Sequence, residues 1–402
     1  MFDAIVVGAR CGGSPTAMLL ARRGYRVLLV DRAAFPSDTI STHFIWAPGV
    51  ACLKRWELLD RLSATNCPVT RGIGLDLGAL QLSGDPPAID GVAEMYAPRR
   101  TVLDKLLLDA ASESGAEVRE GFSVTGLASA NGRVTGIRGH GPAGSEVEEQ
   151  ARIVVGADGR NSLVAKIVGA TEYDVRRTLA CCYYSYWADV PPHLASYWVR
   201  PRRVLVNFRT NDGLTVIVFI FPHDEFEAVR SNLEQSCWEA MELVPELAEL
   251  VRAGRRCERI MGTGDMRNFF RKPHGKGWAL VGDAGYHKDS VTAQGITDAF
   301  RSAEVLSEAI HAGLSGARPL QDAMAEYQRL RDEQVAPMYD LTCEFASLKP
   351  PSSEMLALYQ ALRSNQPEAD RFFGTIAGTV PIPEYYAPEN LRRIVGGASA
   401  GA

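Results

Sequence analysis

Apolar segments alternate with glycine-rich and polar stretches over the first thirty residues and predict a strand, a helix and a second strand. Residues 4–7 form a short apolar run that is typical of a buried strand. Residues 8–13 follow as a glycine-rich turn, residues 14–23 have the pattern of a helix, and a second apolar run ends at Asp31. This βαβ order is typical of the start of a nucleotide-binding α/β domain.

The rest of the chain separates into helical and strand-like segments. Apolar residues at helical spacing predict a helix from Arg100 to near Gly115 and another over residues 296–312. Aromatic and alternating segments predict strands over residues 178–190, 203–209 and 214–221, and the last two form a hairpin through residues 211–213. Residues 320–373 have a mostly helical pattern, and we expect residues 396–402 to be disordered.

These segments predict an α/β domain that is interrupted by an antiparallel-sheet region. The α/β domain is expected to comprise residues 1–70, 96–174 and 262–318. Residues 71–95 and 175–261 are expected to form the sheet region, which would bind the substrate, and residues 319–402 a helical C-terminal region.

Composition narrows the class of protein. A chain of 402 residues that is 46% hydrophobic can bury a large core together with a cofactor. The net charge of −5 argues against a nucleic-acid partner, which would require a basic surface. No apolar run approaches the length of a transmembrane segment. The first strand begins at about residue 2 and leaves no room for a signal peptide, so we expect a cytoplasmic protein.

The eight cysteines are scattered and do not pair with histidines at ligand spacing, so the sequence predicts neither a metal site nor a disulfide framework.

The glycine-rich turn carries the first chemical prediction. Gly8 permits a tight turn, and Gly13 allows the helix to pack close to the strand. Backbone N–H groups at the helix start would face a pyrophosphate, and Asp31 would accept hydrogen bonds from a ribose. Arg10 stands where the middle glycine of such motifs is usual. The alternative is a glycine-rich loop in an α/β protein of another kind.

Two later motifs extend this pattern. Residues 156–162, Gly-Ala-Asp-Gly-Arg-Asn-Ser, follow a valine-rich strand, and residues 282–285, Gly-Asp-Ala-Gly, follow another apolar strand. Ala293-Gln294-Gly295 then begins a helix. Together with Arg100-Thr101-Val102-Leu103-Asp104, these motifs resemble the FAD-dependent family that contains the single-nucleotide-fold aromatic hydroxylases, the geranylgeranyl reductases and the flavin halogenases.

The resemblance implies an FAD fold of the glutathione-reductase type, and it implies roles for the motif residues. Backbone donors of the glycine turn would hold the pyrophosphate, Arg32 would cover the adenine, Asp283 would bind the ribityl chain, and the helix after Gly295 would point its positive end at the flavin. The cofactor-binding residues implied in this way are Gly8, Arg10, Cys11, Gly12, Gly13, Asp31, Arg32, Arg100, Asp158, Gly159, Gly282, Asp283, Gln294, Gly295 and Ile296.

This chain departs from the family pattern near the flavin. Tyr286, Asp289, Ser290 and Ala293 replace the usual residues of the segment, and the proline that commonly sits beside the flavin is absent. The halogenase signature Trp-x-Trp-x-Ile-Pro is missing. The sequence has no second glycine-rich βαβ unit, so NAD(P)H would bind only transiently as a co-substrate.

Candidate reactive residues come from the same regions. His43, Tyr286 and His287 are predicted near the flavin as catalytic residues, although a histidine that serves only the structure is equally compatible with the pattern at position 43. Alternation along residues 178–190 places Tyr183, Ser185 and Trp187 on one face and Tyr184 and Tyr186 on the other. We expect one face to line a ligand cavity and the other to pack on helices, and the pattern does not decide between them; the residues assigned to the substrate are those of the first face together with Phe219. The alternative is that these aromatic residues are plain core.

The predicted function is NAD(P)H- and dioxygen-dependent oxygenation of a small hydrophobic or aromatic substrate, through a flavin hydroperoxide. An alternative within the same resemblance is an alkene reductase of the geranylgeranyl type. A third alternative, from another functional class, is a non-catalytic protein module that binds flavin and senses redox state.

Overall fold

The computed structural model describes residues 1–190 and 194–399 and contains two large sheets and a helical C-terminal part. Its strands are β1 (Phe2–Val7), β2 (Val27–Val30), β3 (Ile73–Asp76), β4 (Gln81–Gly84), β5 (Glu117–Arg119), β6 (Ser123–Ala130), β7 (Arg133–His140), β8 (Glu146–Gly156), β9 (Glu172–Arg176), β10 (Ala180–Ala188), β11 (Ala195–Arg200), β12 (Arg203–Arg209), β13 (Thr215–Pro222), β14 (Arg255–Arg256), β15 (Met261–Thr263), β16 (Asn268–Arg271), β17 (His274–Gly275), β18 (Trp278–Leu280) and β19 (Tyr286–His287).

The helices cover both faces of these sheets. They are α1 (Gly13–Ala21), α2 (Ala47–Arg55), α3 (Leu59–Ser63), α4 (Arg100–Glu113), α5 (Leu163–Ile167), α6 (Phe226–Ser231), α7 (Leu233–Glu242), α8 (Pro245–Ala253), α9 (Gly295–Leu314), α10 (Leu320–Ala346), α11 (Ser353–Leu362), α12 (Gln366–Ala377), α13 (Ile382–Tyr385) and α14 (Pro388–Ser399).

The first sheet has the strand order β17-β18-β8-β1-β2-β5. Strand β1 is parallel to β2 and to β8, and β18 is parallel to β8. The carboxyl ends of β2, β1, β8 and β18 therefore meet at one edge, as the predicted βαβ start requires. Helices α1, α4 and α9 share one core with this sheet, and the β6–β7 hairpin covers its other face, which explains why β1 is almost continuously apolar.

The second sheet has the order β14-β10-β13-β12-β11-β3-β4. Strands β12 and β13 form the predicted antiparallel hairpin, and β3 joins β11 so that residues 73–84 belong to the same sheet. One face of this sheet packs on α6, α7 and α8, and the opposite face shares a core with α11, α12 and α13.

The structure differs from the sequence prediction at three places. Helices α6 to α8 lie within the region that was predicted as sheet alone, and their buried positions recur every three or four residues, as at Cys237, Ala240 and Met241. The sequence pattern over residues 53–62 predicts one helical stretch, but Glu57, at positive φ, separates α2 from α3. Helix α14 includes residues 396–399 of the expected disordered tail, and residues 400–402 lie outside the described residues.

Among the described residues, no helix combines the length and the apolar character that crossing a bilayer would demand.

Candidate functional site

A cleft of about 730 Å³ lies at the edge where the parallel strands of the first sheet end. Its walls come from the turns after β1, β2, β8 and β18, from the start of α9, and from part of β10 and β13. Open α/β sheets bind ligands at this edge, and the volume lies within the range of sites that enclose most of a bound molecule.

The glycine turn after β1 is as tight as the sequence predicts. Gly8 has a φ of +104°, and a Cβ atom at this position would lie 2.4 Å from the carbonyl oxygen of Ala157. A Cβ atom on Gly13 would lie only 1.7 Å from the carbonyl oxygen of Gly8. Helix α1 therefore begins directly against β1, and its first N–H groups face the cleft, where an anion is favoured.

Asp31 braces this turn. Its Oδ2 accepts a hydrogen bond from the Ala9 N–H at 2.7 Å, and its Oδ1 accepts one from the Ala33 N–H at 2.8 Å. Asp31 and Arg32 both line the cleft, which leaves them beside the predicted adenosine end.

A buried carboxylate, Asp104, organises the arginines near the turn. Arg100 donates to Asp104 from one helical turn away, at 2.9 Å and 3.1 Å, and Arg10 forms an ion pair with the same carboxylate. Asp104 is completely buried, whereas Arg10 and Arg100 both line the cleft. Two positive charges against one negative charge leave this wall suited to a pyrophosphate. The sequence prediction quoted Asp104 within a motif but did not assign it this role.

Cys11 completes this cluster. Its thiol lies 3.5 Å from Asp104 Oδ1, and burial raises the pKa of Cys11 to about 12, so the thiol stays protonated.

The two Asp-Gly motifs place their carboxylates differently. Asp158 accepts hydrogen bonds from Ser162 Oγ at 2.5 Å and from the Leu163 N–H at 2.7 Å, and burial raises its pKa. Its carboxylate thus fixes the loop that carries Gly159, and both residues line the cleft. Asp283, in the short turn after β18, keeps an exposed carboxylate in the cleft and can bind a hydroxyl there.

Helix α9 begins at the cleft with twenty residues of regular helix. Gly282, Gly295 and Ile296 line the cleft, so the positive end of the helix dipole faces it. The Gln294 side chain points elsewhere and donates to the Ile376 carbonyl at 2.6 Å, which ties α9 to α12.

His43 lies one layer behind the cleft wall. It is completely buried at a φ of +62°, and its Nε2 makes a hydrogen bond of 2.7 Å with Tyr186 Oη. Burial lowers its pKa to about 3, so the imidazole is neutral. Its neighbours Thr42 and Tyr184 form the wall, with the Tyr184 ring 5.3 Å from the imidazole.

Tyr286 and His287 do line the cleft, as predicted. The Tyr286 ring lies 4.8 Å from Lys288 Nζ, and burial raises the pKa of its hydroxyl well above the ordinary value. His287 donates through Nδ1 to the Arg267 carbonyl at 2.5 Å. Lys288 forms a buried ion pair with Asp298 of α9, which the sequence analysis did not find.

The predicted substrate face of β10 is the wrong one. Tyr183, Trp187 and Phe219 pack in the core under α6 to α8, and Ser185 Oγ donates to the Glu258 carbonyl at 2.6 Å. The opposite face, with Cys182, Tyr184 and Val218, reaches the cleft. Alternation along β10 predicts two aromatic faces that the sequence cannot tell apart. Helices α6 to α8, which were not predicted, cover the face of Tyr183 and Trp187 and so separate it from the cleft.

A small apolar pocket of about 20 Å³ adjoins the cleft. The two cavities share the lining residues Thr42, Val218, Ser290 and Ala293. The remaining walls of the pocket are apolar or aromatic and come from both sheet and loop: Phe44, Trp46, Ile73, Ala195, Tyr197, Val206, Phe208, Ile220 and Val291.

The residues of the cleft fit FAD. The glycines at the start of α1 and two guanidinium groups match its pyrophosphate, and an exposed carboxylate matches its hydroxyl groups. The buried hydroxyls of Tyr184 and Tyr286, which have no protein partners among the described residues, border the other end of the cleft.

Comparison with known proteins agrees with this chemistry. A family model described as "FAD binding domain" matches residues 1–341. The digeranylgeranylglycerophospholipid reductase of Methanocella arvoryzae is 26% identical over 343 residues, which cover 81% of this chain and 82% of that protein.

Two solved structures illustrate the similarity of fold. The myxobacterial chondrochloren halogenase CndH has a TM-score of 0.80 at 23% identity, covering 100% of this chain and 97% of its own. PqsL of Pseudomonas aeruginosa, described as a probable FAD-dependent monooxygenase, has a TM-score of 0.71 at 19% identity, covering 93% and 98%. From the family match and the cleft, the chain belongs to the FAD binding domain family and is an FAD-dependent oxidoreductase.

Proposed function

We propose that this oxidoreductase is a monooxygenase that uses NAD(P)H and dioxygen to oxygenate a small apolar or aromatic substrate. The observation that supports the proposal is the apolar and aromatic wall that the cleft shares with a small adjoining pocket at Thr42, Val218, Ser290 and Ala293. Oxygen transfer from a reduced flavin requires a dry site beside the ring, because water diverts reactive intermediates. Among the described residues that line the pocket, none carries a charge.

The protein's own groups have defined tasks in this reaction. Bound FAD supplies electron transfer and oxygen activation. The start of α9 stabilises negative charge that develops beside it, and the Arg10–Asp104–Arg100 cluster anchors the pyrophosphate. The neutral His43 fixes Tyr186 behind the Tyr184 wall, and the aromatic sheet face excludes water.

Alkene reduction is the second candidate. The curated relatives over most of the chain include digeranylgeranylglycerophospholipid reductases, which favours it. The C-terminal helices, however, pack Phe372, Phe373 and Tyr385 into the same core as Tyr184 and Tyr186. The pocket left beside the cleft is about 20 Å³, which is room for a water-sized group and not for an isoprenoid chain, so a substrate of either kind would have to lie in the cleft itself.

The experiment measures NADH and NADPH oxidation by the FAD-loaded protein with a panel of phenols, polyketide-like aromatic compounds and prenyl compounds. The reactions run under heavy-isotope dioxygen, with mass spectrometry of the product. We expect oxidation to be stimulated by an aromatic compound and the product to contain the heavy oxygen. A product that gains two hydrogens and forms equally well under argon would establish the reductase instead.

A further inference from the structure

A buried carboxyl group, Asp289, lies in the loop between β19 and α9. The residue is 1% exposed, and its Oδ1 accepts a hydrogen bond from the Val291 N–H at 3.0 Å. Its own backbone N–H donates to Asn268 Oδ1 at 2.7 Å, which fixes the loop. Its Oδ2 is buried and has no hydrogen-bond partner among the described residues.

The surroundings of Asp289 do not neutralise its charge. The adjacent Lys288 is paired with Asp298, and the His287 ring donates to a backbone carbonyl. Thiols face it from two elements: Cys181 and Cys182 on β10, and Cys343 on α10. Burial raises the pKa of Cys181 and of Cys182 to about 12, so these thiols remain neutral.

The position of Asp289 connects it to the cofactor. Asp289 lines the flavin cleft, and the next residue, Ser290, lies where the cleft meets the apolar pocket. Asp289 has no task in the proposed oxygenation. Burial without a compensating cation favours the protonated form and raises its pKa to about 7, so the group can change its charge in neutral solution.

We propose that Asp289 takes up a proton when the flavin is reduced, and thereby couples the reduction potential of this enzyme to pH. NAD(P)H delivers a hydride to FAD, which supplies two electrons and one proton to the flavin. The negative charge of the reduced flavin then favours the neutral carboxylic acid, and Asp289 binds a second proton from solvent. The inference rests on FAD binding and is independent of the choice between oxygenation and alkene reduction.

The test follows the midpoint potential of the FAD-loaded wild-type protein and of Asp289→Asn from about pH 7 to about pH 8.5. Asparagine keeps the shape and can still accept from the Val291 N–H. Two electrons with one proton lower the potential by about 30 mV per pH unit, and with two protons by about 59 mV. We expect the wild-type slope to exceed 30 mV and approach 59 mV, and the variant slope to be about 30 mV.

His287→Asn is the matched control, since His287 lies two residues away in the same loop and also lines the cleft. It is expected to retain the wild-type slope. Equal slopes for the wild type and Asp289→Asn, or loss of the steep slope in His287→Asn alone, would overturn the proposal. If Asp289→Asn does not hold FAD, an indicator dye measures proton uptake from solvent when NAD(P)H reduces the FAD-loaded wild type near pH 8. The hydride already carries the flavin's proton, so the absence of uptake contradicts the proposal, and uptake that approaches one proton per flavin supports it.

Discussion

Asp104 is the residue on which the phosphate end of the cleft depends. It is fully buried between two arginines, so its loss leaves their charges unpaired. We expect Asp104→Asn to lower the free energy of unfolding by about 3 kcal/mol, the range found when one partner of a buried ion pair is removed, and to weaken FAD retention. Chemical denaturation of the apoprotein and flavin content after gel filtration measure the two effects.

The same helix provides a control for this substitution. Lys105 and Asp109 form an ion pair at 2.5 Å, but their side chains are 40% and 38% exposed. Asp109→Asn should change stability by less than about 0.5 kcal/mol and leave the flavin content unchanged. If both variants behave alike, Asp104 does not organise the arginines as described.

His43 makes stability depend on pH. Its pKa is about 3 in the folded protein and 6.5 as the ordinary value, because burial disfavours the charged ring. The folded state therefore loses stability as the pH falls below 6.5, since the unfolded chain binds the proton more strongly. We expect the free energy of unfolding to fall less between pH 6.5 and about pH 4 in His43→Gln than in the wild type, as measured by urea denaturation; parallel curves would show that His43 is not buried and neutral.

Local chemistry decided which site residues the sequence could predict. The turn at Gly8 and Gly13 depends on neighbours within one βαβ unit, and the structure shows the close approach that the sequence predicts. Asp31 follows β2 at the expected place, but its hydrogen bond from the Ala9 N–H was not predicted. Asp104 and Asp289 derive their character from burial by distant segments, which no local pattern encodes.

The contact between β1 and α1 leaves no room for a side chain at Gly13. A methyl group there would meet the Gly8 carbonyl at 1.7 Å and push the helix from the strand. We expect Gly13→Ala to lower the free energy of unfolding of the apoprotein by about 2 kcal/mol. Gly12→Ala is the control, because its nearest neighbour would be Val281 at 3.5 Å, an ordinary contact. Thermal unfolding of both apoproteins checks this, and equal melting temperatures would contradict the close packing.

The junction of β13 with the flavin cleft should control access to the substrate pocket. Val218 lines both cavities. We expect Val218→Phe to keep the flavin but to reduce substrate-stimulated NAD(P)H oxidation at least about tenfold, because the ring fills the opening. Val218→Leu is a smaller change, so its rate of substrate-stimulated NAD(P)H oxidation should lie between those of the wild type and Val218→Phe. Full activity of Val218→Phe would exclude this route for the substrate.

Prediction of whole elements succeeded where a strand or helix is long and regular, as for β10, β13, α4 and α9. It failed where the aromatic face of β10 had to be assigned, because the deciding helices α6 to α8 were not foreseen. Their buried positions, such as Met241, Leu247 and Val251, do recur at helical spacing, so the sequence contains a helical signal that the prediction of sheet alone overlooked.

In the molecule as a whole, the cleft lies where the two sheets adjoin. The parallel sheet supplies the glycine turn and the carboxylate after β18, while the antiparallel sheet supplies the aromatic wall. The order of motifs along the chain predicted that the glycine turn and the carboxylate after β18 lie close together. The packing of α11 to α13 on the antiparallel sheet joins segments more than a hundred residues apart, and the sequence alone did not reveal it.

We expect this cleft to hold one FAD per chain, with Asp283 in direct contact with it. The most direct measurement is titration of the apoprotein with FAD, followed by flavin fluorescence, for the wild type and for Asp283→Ala. We expect saturation at one FAD per chain and an affinity that is about tenfold weaker in the variant, as loss of one hydrogen bond to a charged group implies. Absence of binding by the wild type, or identical affinities, would contradict the account.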